Sequence, residues 1–531
     1  MLELTFFGAC DTVTGSCYML ETPQTKIIID CGMFQGSRDN RSRNEQPFPF
    51  EPRSIDCVLL THAHIDHSGL LPKLVKEGFR GEILAHKATT DLARIMLADS
   101  AHIQQMEAEW SARKNRRAGL EDVEPLYTVE DAERALSLFR SVSYGEKVQL
   151  SDSLWFRYHN AGHILGSCIA EVGVRDGDGE QVVVFSGDLG VKNRPIIQDP
   201  EAIEAADFVV IESTYGDRLH ESEEQKLQRL TDILSQACRD KEKVVIPAFA
   251  VGRTQDILYE INKLYRDGKI PLIPVYVDSP LAVSATAIFE QNSELFDRET
   301  WDFLRAEQSP FNYPQLTLVR DVQDSISLNT MEGAAVIISA SGMAEAGRIK
   351  HHLKHNLWRE SAHVLFIGYQ AAGTLGRRIR DGAPTVSIFG EEIAVRAHIH
   401  AIDGFSAHAD QRGLLDWLRA FSDRPRGVFV THGESQSSRT LAALMGQELG
   451  LHAIIPACGE SYDLTASVIT LPTQVIMPED TRMAELDALW REARALIAEQ
   501  LQEGGKKELR EARRLTQRLE ELMREVRNKL R

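Results

Sequence analysis

Short apolar, β-branched runs recur along this chain, and each stops at a polar residue or a glycine before helical spacing begins. "KIIID" stops at Asp30, "CVLLTHAH" runs into His62 and His64, "VVVFSGD" ends at Asp188, and "FVVIES" passes Glu212. Further on, "VYVDSP" reaches Asp278, "AVIISASGM" reaches Ser341, "VLFIGYQ" reaches Tyr369, and "VFVTHGE" carries His432. Unbroken apolar runs of this kind predict strands covered on both faces, as in layered α/β folds. "ETPQTKIIIDCG" and "DSLWFRYHNAGHILGSCIAEVGV" look instead like half-buried antiparallel strands, so mixed sheets are expected. In such folds ligands collect beyond the carboxyl ends of strands. Nearly every conspicuous polar residue here occupies such an end, which gathers them into one expected site.

The pattern changes near position 466. Met483, Leu486, Trp490, Ala493, Ile497 and Leu501 recur at helical spacing before Gly504-Gly505, and Ala512, Leu515, Leu519, Leu522 and Val526 do so after it. They predict a helical hairpin within 466–531, read as a packing or homo-oligomer surface, or a docking face for a protein partner, ahead of any RNA contact.

Composition narrows the class. A chain of 531 residues with 43% apolar and 26% charged residues suits several globular domains. No apolar run approaches the ~20 residues a bilayer requires, and the start has no basic segment followed by an apolar one, so neither membrane nor signal peptide is expected. The seven cysteines are odd in number and include no Cys-x-x-Cys, which fits free thiols in a reducing, cytoplasmic setting. The net charge of −18 argues against gripping a nucleic acid through lysine and arginine. Backbone N–H groups and bound cations remain as ways of holding phosphates.

"THAHIDHSG" sets His62, His64, Asp66 and His67 within six positions at the end of a predicted strand. Imidazole and carboxylate together suit Zn²⁺, with Mn²⁺ or Fe²⁺ as alternatives. His62 and His64 are placed to take one ion; Asp66 and His67, turned differently, suit a second. His163 in "AGHILGS", Asp188 in "FSGDLG" and His432 in "VTHGE" are the remaining candidates, Asp188 being suited to bridging two ions.

These motifs resemble the metallo-β-lactamase-fold hydrolases. The resemblance implies an α/β fold with a four-layer αββα sandwich. It assigns one zinc to His62, His64, His163 and Asp188, the other to Asp66, His67, Asp188 and His432, and gives Asp30 the support of the metal loop. Asp188 and His432 lie 244 positions apart, room for an inserted α/β domain. That insert is similar to the β-CASP domain of nucleic-acid-processing nucleases. Glu212 in "IEST", His408 in "GFSAHAD" and His432 in "THGE" match its motifs, and "PAFAVGRTQDIL", "SASGMAEAGR", "GYQAAGTLGR" and the N-terminal "GACDTVTGS" look like its members. The resemblance covers about residues 1–465 and is close to bacterial β-CASP ribonucleases and to the endonuclease subunit of the eukaryotic mRNA 3′-end cleavage factor. It implies a sandwich from 1–210 and 395–465, a β-CASP domain at 211–394, and the helical extension at 466–531.

For function, the resemblance implies a two-zinc phosphodiesterase. A histidine at the position of His432 accompanies RNA substrates in this superfamily. Water activated by the ions would attack phosphorus. Asp188 or Asp66 would orient it, His408 would protonate the leaving 3′-oxygen, and Glu212 would orient His408, leaving 5′-phosphate and 3′-hydroxyl ends. Two glycine-bearing strand–helix turns, with Ser341, Gly342 and Arg348 in one and Tyr369, Gly373 and Thr374 in the other, are the expected phosphate contacts. Arg253 is assigned equally to phosphate contact or to starting a helix, and "HHLKH" at 351–355 to a polar helix face. The alternatives are a small-molecule metallo-hydrolase, an inactive RNA-processing scaffold, and a DNA-repair nuclease that His432 disfavours.

Overall fold

The computed structural model describes residues 2–465, apart from 37, 120–121, 177–178, 306–308 and 372, together with 473–474. The hairpin expected within 466–531 lies outside the described residues. The class is mixed α/β, and three large sheets and one small hairpin form among the described residues.

The first sheet is antiparallel through Glu3–Phe6, Tyr18–Glu21 and Lys26–Ile29, then parallel through Cys57–Leu59, Glu82–Ala85 and Phe139–Ser141. The second is antiparallel through Lys147–Gln149, Leu154–Asn160, Cys168–Asp176 and Gly179–Phe185. It turns parallel through Phe208–Glu212, Gly427–Thr431 and Ala453–Ile454. The mixed sheets expected from the two alternating segments are therefore present. The sheets bury their facing sides against each other: Leu4, Phe6, Ile27, Ile29 and Leu59 of the first pack with Phe156, Tyr158, Val172, Phe185, Phe208 and Phe429 of the second. The far side of the second sheet is covered by Leu414, Leu415, Trp417 and Leu418 of helix Gln411–Leu418 and by Leu441 of helix Ser435–Leu444.

Between Phe208–Glu212 and Gly427–Thr431 the chain leaves to build a wholly parallel sheet. Its strands run in spatial order Leu316–Leu318, Val275–Val277, Ala335–Ser339, Lys243–Pro247, Ala362–Ile367 and His398–Ile402. The Lys243, Ala335 and Ala362 strands are buried along their whole length, as their unbroken apolar runs require. Phe208–Glu212 pairs within the second sheet, and the last parallel strand runs past position 394 to Ile402. Among the described residues no helix is long and apolar enough to cross a membrane.

Candidate active site

Strand ends from both halves of the sandwich meet at one place. Ile29 and Leu59 are in register, so Asp30 and the Thr61–His67 loop leave the first sheet side by side. Phe185 is in register with Val210 and Glu212 with Thr431, so Asp188, Glu212 and His432 leave the second sheet together. Two glycines permit the close approach. A Cβ on Gly32 would fall 1.6 Å from the Asp66 carbonyl oxygen, and one on Gly190 would fall 1.8 Å from that of Gly162. Asp66 and His67 lie on a single turn, Ile65–Ser68; the next helix is Leu71–Lys76, with Pro72 in the first turn where its missing N–H costs nothing.

Two groups of ligating atoms result. His62 Nε2 and His163 Nε2 lie 3.1 and 3.2 Å from His64 Nδ1, and Asp188 Oδ2 is 3.5 Å from each of those two Nε2 atoms. His67 Nε2 lies 3.2 Å from His432 Nε2 and 3.3 Å from Asp188 Oδ1, and His432 Nε2 is 3.7 Å from Asp66 Oδ2. Ligands 2.0–2.1 Å from a tetrahedral zinc stand about 3.3 Å apart, so these spacings fit a metal ion without rearrangement. Asp188 presents one carboxylate oxygen to each group, and Oδ1 is buried with no hydrogen-bond partner, a state that a cation would relieve.

The electrostatics of the first group agree, whereas in the second Asp188 and Asp30 push the His67 imidazole up against burial. Burial holds the His62 and His163 imidazoles well below their ordinary pKa and His64 at about 4, which keeps their lone pairs free to ligate. Burial works against the Asp188 carboxylate, but the imidazoles of His432, His67 and His408 outweigh it and hold the group ionised. Asp30 accepts from the Thr61 N–H at 2.7 Å and the Thr61 hydroxyl at 2.8 Å, and its Oδ2 lies 2.7 Å from His67 Nδ1. That contact fixes the ring so that Nε2 faces the site.

His408 stands beside the first group. Its Nδ1 is 3.0 Å from Glu212 Oε2 and 3.8 Å from Asp188 Oδ2. Burial opposes its protonation, but the two carboxylates prevail and raise its pKa. Glu212 is itself fixed by the Leu189 N–H at 2.7 Å. His408 pairs with Gly190 as an isolated bridge, and Ala409 N–H donates to the Leu189 carbonyl at 2.7 Å.

Two of the expected phosphate-contacting residues connect to the candidate ligands through one neighbour each. Gly342 lies against the Phe249 ring, 2.8 Å from an added Cβ, and Phe249 in turn packs on His64 with ring centroids 6.3 Å apart. Ser341 Oγ accepts from the Glu345 N–H at 3.2 Å. Gly373 is left-handed with open space around it, and Thr374 caps helix Leu375–Arg380. Tyr369 donates to Glu434, two residues after His432. Arg348 departs from expectation: its guanidinium pairs with buried Asp278 at 2.7 Å and donates to the Arg320 carbonyl at 2.7 Å, so its charge is spent inside the insert. Arg253 is likewise buried, donating to the Ile367 carbonyl at 3.2 Å at the start of helix Arg253–Arg266. The "HHLKH" face is not wholly polar surface, since His352 is fully buried between Asp278 Oδ2 at 2.6 Å and Asn329 Oδ1 at 3.0 Å.

Sequence reasoning missed four contributors. Thr61 holds Asp30; Thr214 Oγ1 lies 3.2 Å from His432 Nδ1; His220 Nε2 lies 2.8 Å from the His408 carbonyl. Arg194 donates to the His163 carbonyl at 3.0 Å and pairs with Asp256 of the insert. Only Thr61, next to His62 at a strand end, carried a signal in its position.

The chain matches three family models: metallo-beta-lactamase superfamily over residues 10–137, Beta-Casp domain over 254–379, and Zn-dependent metallo-hydrolase RNA specificity domain over 392–456. It is 39% identical to Ribonuclease TTHA0252 of Thermus thermophilus, across 84% of this chain and 97% of that protein. It is 29% identical to an RNase J-like protein of Methanocaldococcus jannaschii, across 86% and 99%, and 29% identical to the transcription termination factor FttA of Methanosarcina mazei, across 84% and 69%. A crystal structure of a protein of unknown function from Enterococcus faecalis shares the fold, with a TM-score of 0.50 and 11% identity over 88% of this chain and 100% of the other.

Proposed function

This chain belongs to the β-CASP ribonucleases of metallo-β-lactamase fold, and on that premise we propose that it hydrolyses RNA phosphodiester bonds with two zinc ions, leaving 5′-phosphate and 3′-hydroxyl ends. The observation that carries the reading is the pairing of His408 with Glu212 beside two ligand groups that share Asp188.

His62, His64, His163 and Asp188 would hold one ion, and Asp66, His67, His432 and Asp188 the other. Bound there, the metal supplies a nucleophile from water at neutral pH and offsets phosphate charge. Asp188 or Asp66 would orient the attacking water. Glu212 engages His408 Nδ1, so Nε2 is the nitrogen that delivers a proton to the departing 3′-oxygen. Glu212 and Asp188 raise the His408 pKa against burial, which favours the protonated form. The backbone of the turns at Ser341–Gly342 and Gly373–Thr374 receives substrate phosphates, and Tyr369 ties the second turn to Glu434 beside the metal ligands. Arg348 shapes the first turn through Asp278. The proposed domain division is 1–210, 211–394, 395–465 and 466–531, with strand His398–Ile402, just past the second boundary, completing the insert's sheet.

End-labelled RNA, the matched DNA and nitrocefin, each incubated with the zinc-loaded protein, test the reading. RNA alone should be cut, with fragments carrying 5′-phosphates. A 2′,3′-cyclic phosphate would mean attack by the ribose rather than by water, and turnover of nitrocefin alone would return the site to small-molecule hydrolysis.

A further inference from the structure

Four of the seven cysteines stand as two neighbouring pairs, Cys17 with Cys31 and Cys10 with Cys458; Cys10 Sγ donates to the Gly8 carbonyl at 3.4 Å, and Cys458 Sγ lies against the adjacent Phe7 carbonyl. The pairs differ in surroundings. Cys17 and Cys31 are both buried, and the hydrogen bond between them, with burial, pushes the Cys17 thiol well above its ordinary value. Cys458 is half-buried and carries a cation: Arg43 Nη2 donates to its Sγ at 3.0 Å while the guanidinium stacks on Phe34, 3.9 Å from the ring centroid. As a thiol Cys458 donates to the Phe7 carbonyl at 3.0 Å; as a thiolate it accepts from Arg43. The neighbouring Cys10 thiol, with the Arg43 charge, lowers the Cys458 pKa against the effect of burial. A partly accessible thiol beside a guanidinium, with a second thiol in contact, is the arrangement of a cysteine oxidised reversibly.

We infer that Cys458 is a peroxide-reactive thiol and Cys10 its resolving partner, so that mild oxidation closes a Cys10–Cys458 disulfide. The Cys458 thiolate attacks one oxygen of hydrogen peroxide; the S–O bond forms, the O–O bond breaks, and the departing hydroxide takes a proton to become water. The Cys10 thiol then gives up its proton and attacks the oxidised sulfur. The S–S bond forms, the S–O bond breaks, and the leaving hydroxide takes that proton as a second water. Two thiols lose two electrons and two protons, and peroxide is reduced to two waters.

The position gives the bridge a consequence. The Ala9 carbonyl accepts the His432 N–H at 2.6 Å, and Cys10 is the next residue. The Gly459 N–H donates to the Phe6 carbonyl at 2.7 Å, which fixes the other end of the crosslink to the first sheet. Closing the bridge therefore draws the Gly8–Cys10 turn toward that strand and shifts the carbonyl that holds His432.

The test treats the full-length protein with a few equivalents of hydrogen peroxide, blocks remaining thiols with N-ethylmaleimide and maps peptides by mass. A Cys10–Cys458 crosslinked peptide that dithiothreitol removes is expected. Cys458→Ser should abolish it. Cys10→Ser should leave Cys458 as a sulfenic acid that dimedone traps, and Arg43→Gln should slow oxidation at neutral pH by on the order of tenfold. No crosslink, prior closure of Cys17–Cys31, or an unchanged rate in Arg43→Gln would overturn the inference. Wild-type mapping needs no variant, so a substitution that misfolds does not blunt it. The crosslink is read by mass and stands or falls apart from the ribonuclease reading. RNA turnover should drop several-fold in bridged protein and return with dithiothreitol; unchanged turnover would sever the link to His432.

Discussion

Nδ1 of His408 is taken by Glu212, while each oxygen of Asp188 faces a different ligand group, so the two residues separate chemistry from metal retention. His408→Ala should keep its metal by elemental analysis and lose roughly 10²–10⁴ in kcat on labelled RNA. Asp188→Ala should lose metal as well as turnover, because it withdraws an oxygen from both groups. Near-normal kcat in His408→Ala would remove the histidine from the proton-donor role. Away from the metals, His159 lies between Glu171 at 2.8 Å and Glu201 at 3.1 Å, and its pKa is about 9: burial opposes the charge, and the two carboxylates outweigh it. A folded pKa above the unfolded value stabilises fully below about pH 6.5, and that stability is lost as pH rises through the folded value. His159→Gln should therefore be less stable than wild type by about 1 kcal/mol near pH 6, after allowance for solvent screening, and converge with it by pH 10 in denaturant titrations. At this scale the ligands were legible because imidazoles and carboxylates crowd strand ends at short spacing. Thr214 and Arg194 were not, since they act on a ligand's ring or carbonyl from positions far away in the chain.

Among the elements, strands were the easiest to read, because burial on both faces leaves an unbroken apolar run; helix faces were harder. Residues 351–355 read as a polar face, yet His352 is fully buried, since its partner Asp278 arrives from a strand end more than seventy positions earlier. Spacing within a helix records which side is apolar, but not that a buried carboxylate waits on that side. Asp278 accepts from Ser325, Arg348 and His352, and these bonds hold its carboxyl below the ordinary range against the cost of burial. Removing the acceptor strands a buried imidazole and a guanidinium. Asp278→Ala should cost about 3 kcal/mol in chemical denaturation. The loss should exceed that of Arg348→Met, which removes only a partly exposed partner; equal losses would mean that the carboxylate does not organise the cluster.

For the whole molecule, a net charge of −18 has to be reconciled with a polyanionic substrate. The fold resolves this by where its cations go. Arg348 and Arg253 are committed to Asp278 and to backbone carbonyls inside the insert, and Arg377 and Arg380, after the second glycine turn, pair with Asp381 and Asp403. Arg194 is committed to the contact between insert and sandwich, joining Asp256 to the His163 carbonyl. On the proposed reading, phosphates would meet backbone N–H at the turns and the metal centre, neither of which releases many counterions when RNA binds. Each phosphate neutralised by lysine or arginine on a single strand contributes about −0.7 to the slope of log affinity against log salt. Binding of single-stranded RNA to zinc-loaded His408→Ala protein, followed by fluorescence anisotropy between 50 and 300 mM salt, should give a slope shallower than about −2. A slope steeper than about −4 would require several lysine or arginine contacts, and would transfer the substrate path from the glycine turns to a basic surface elsewhere on the chain.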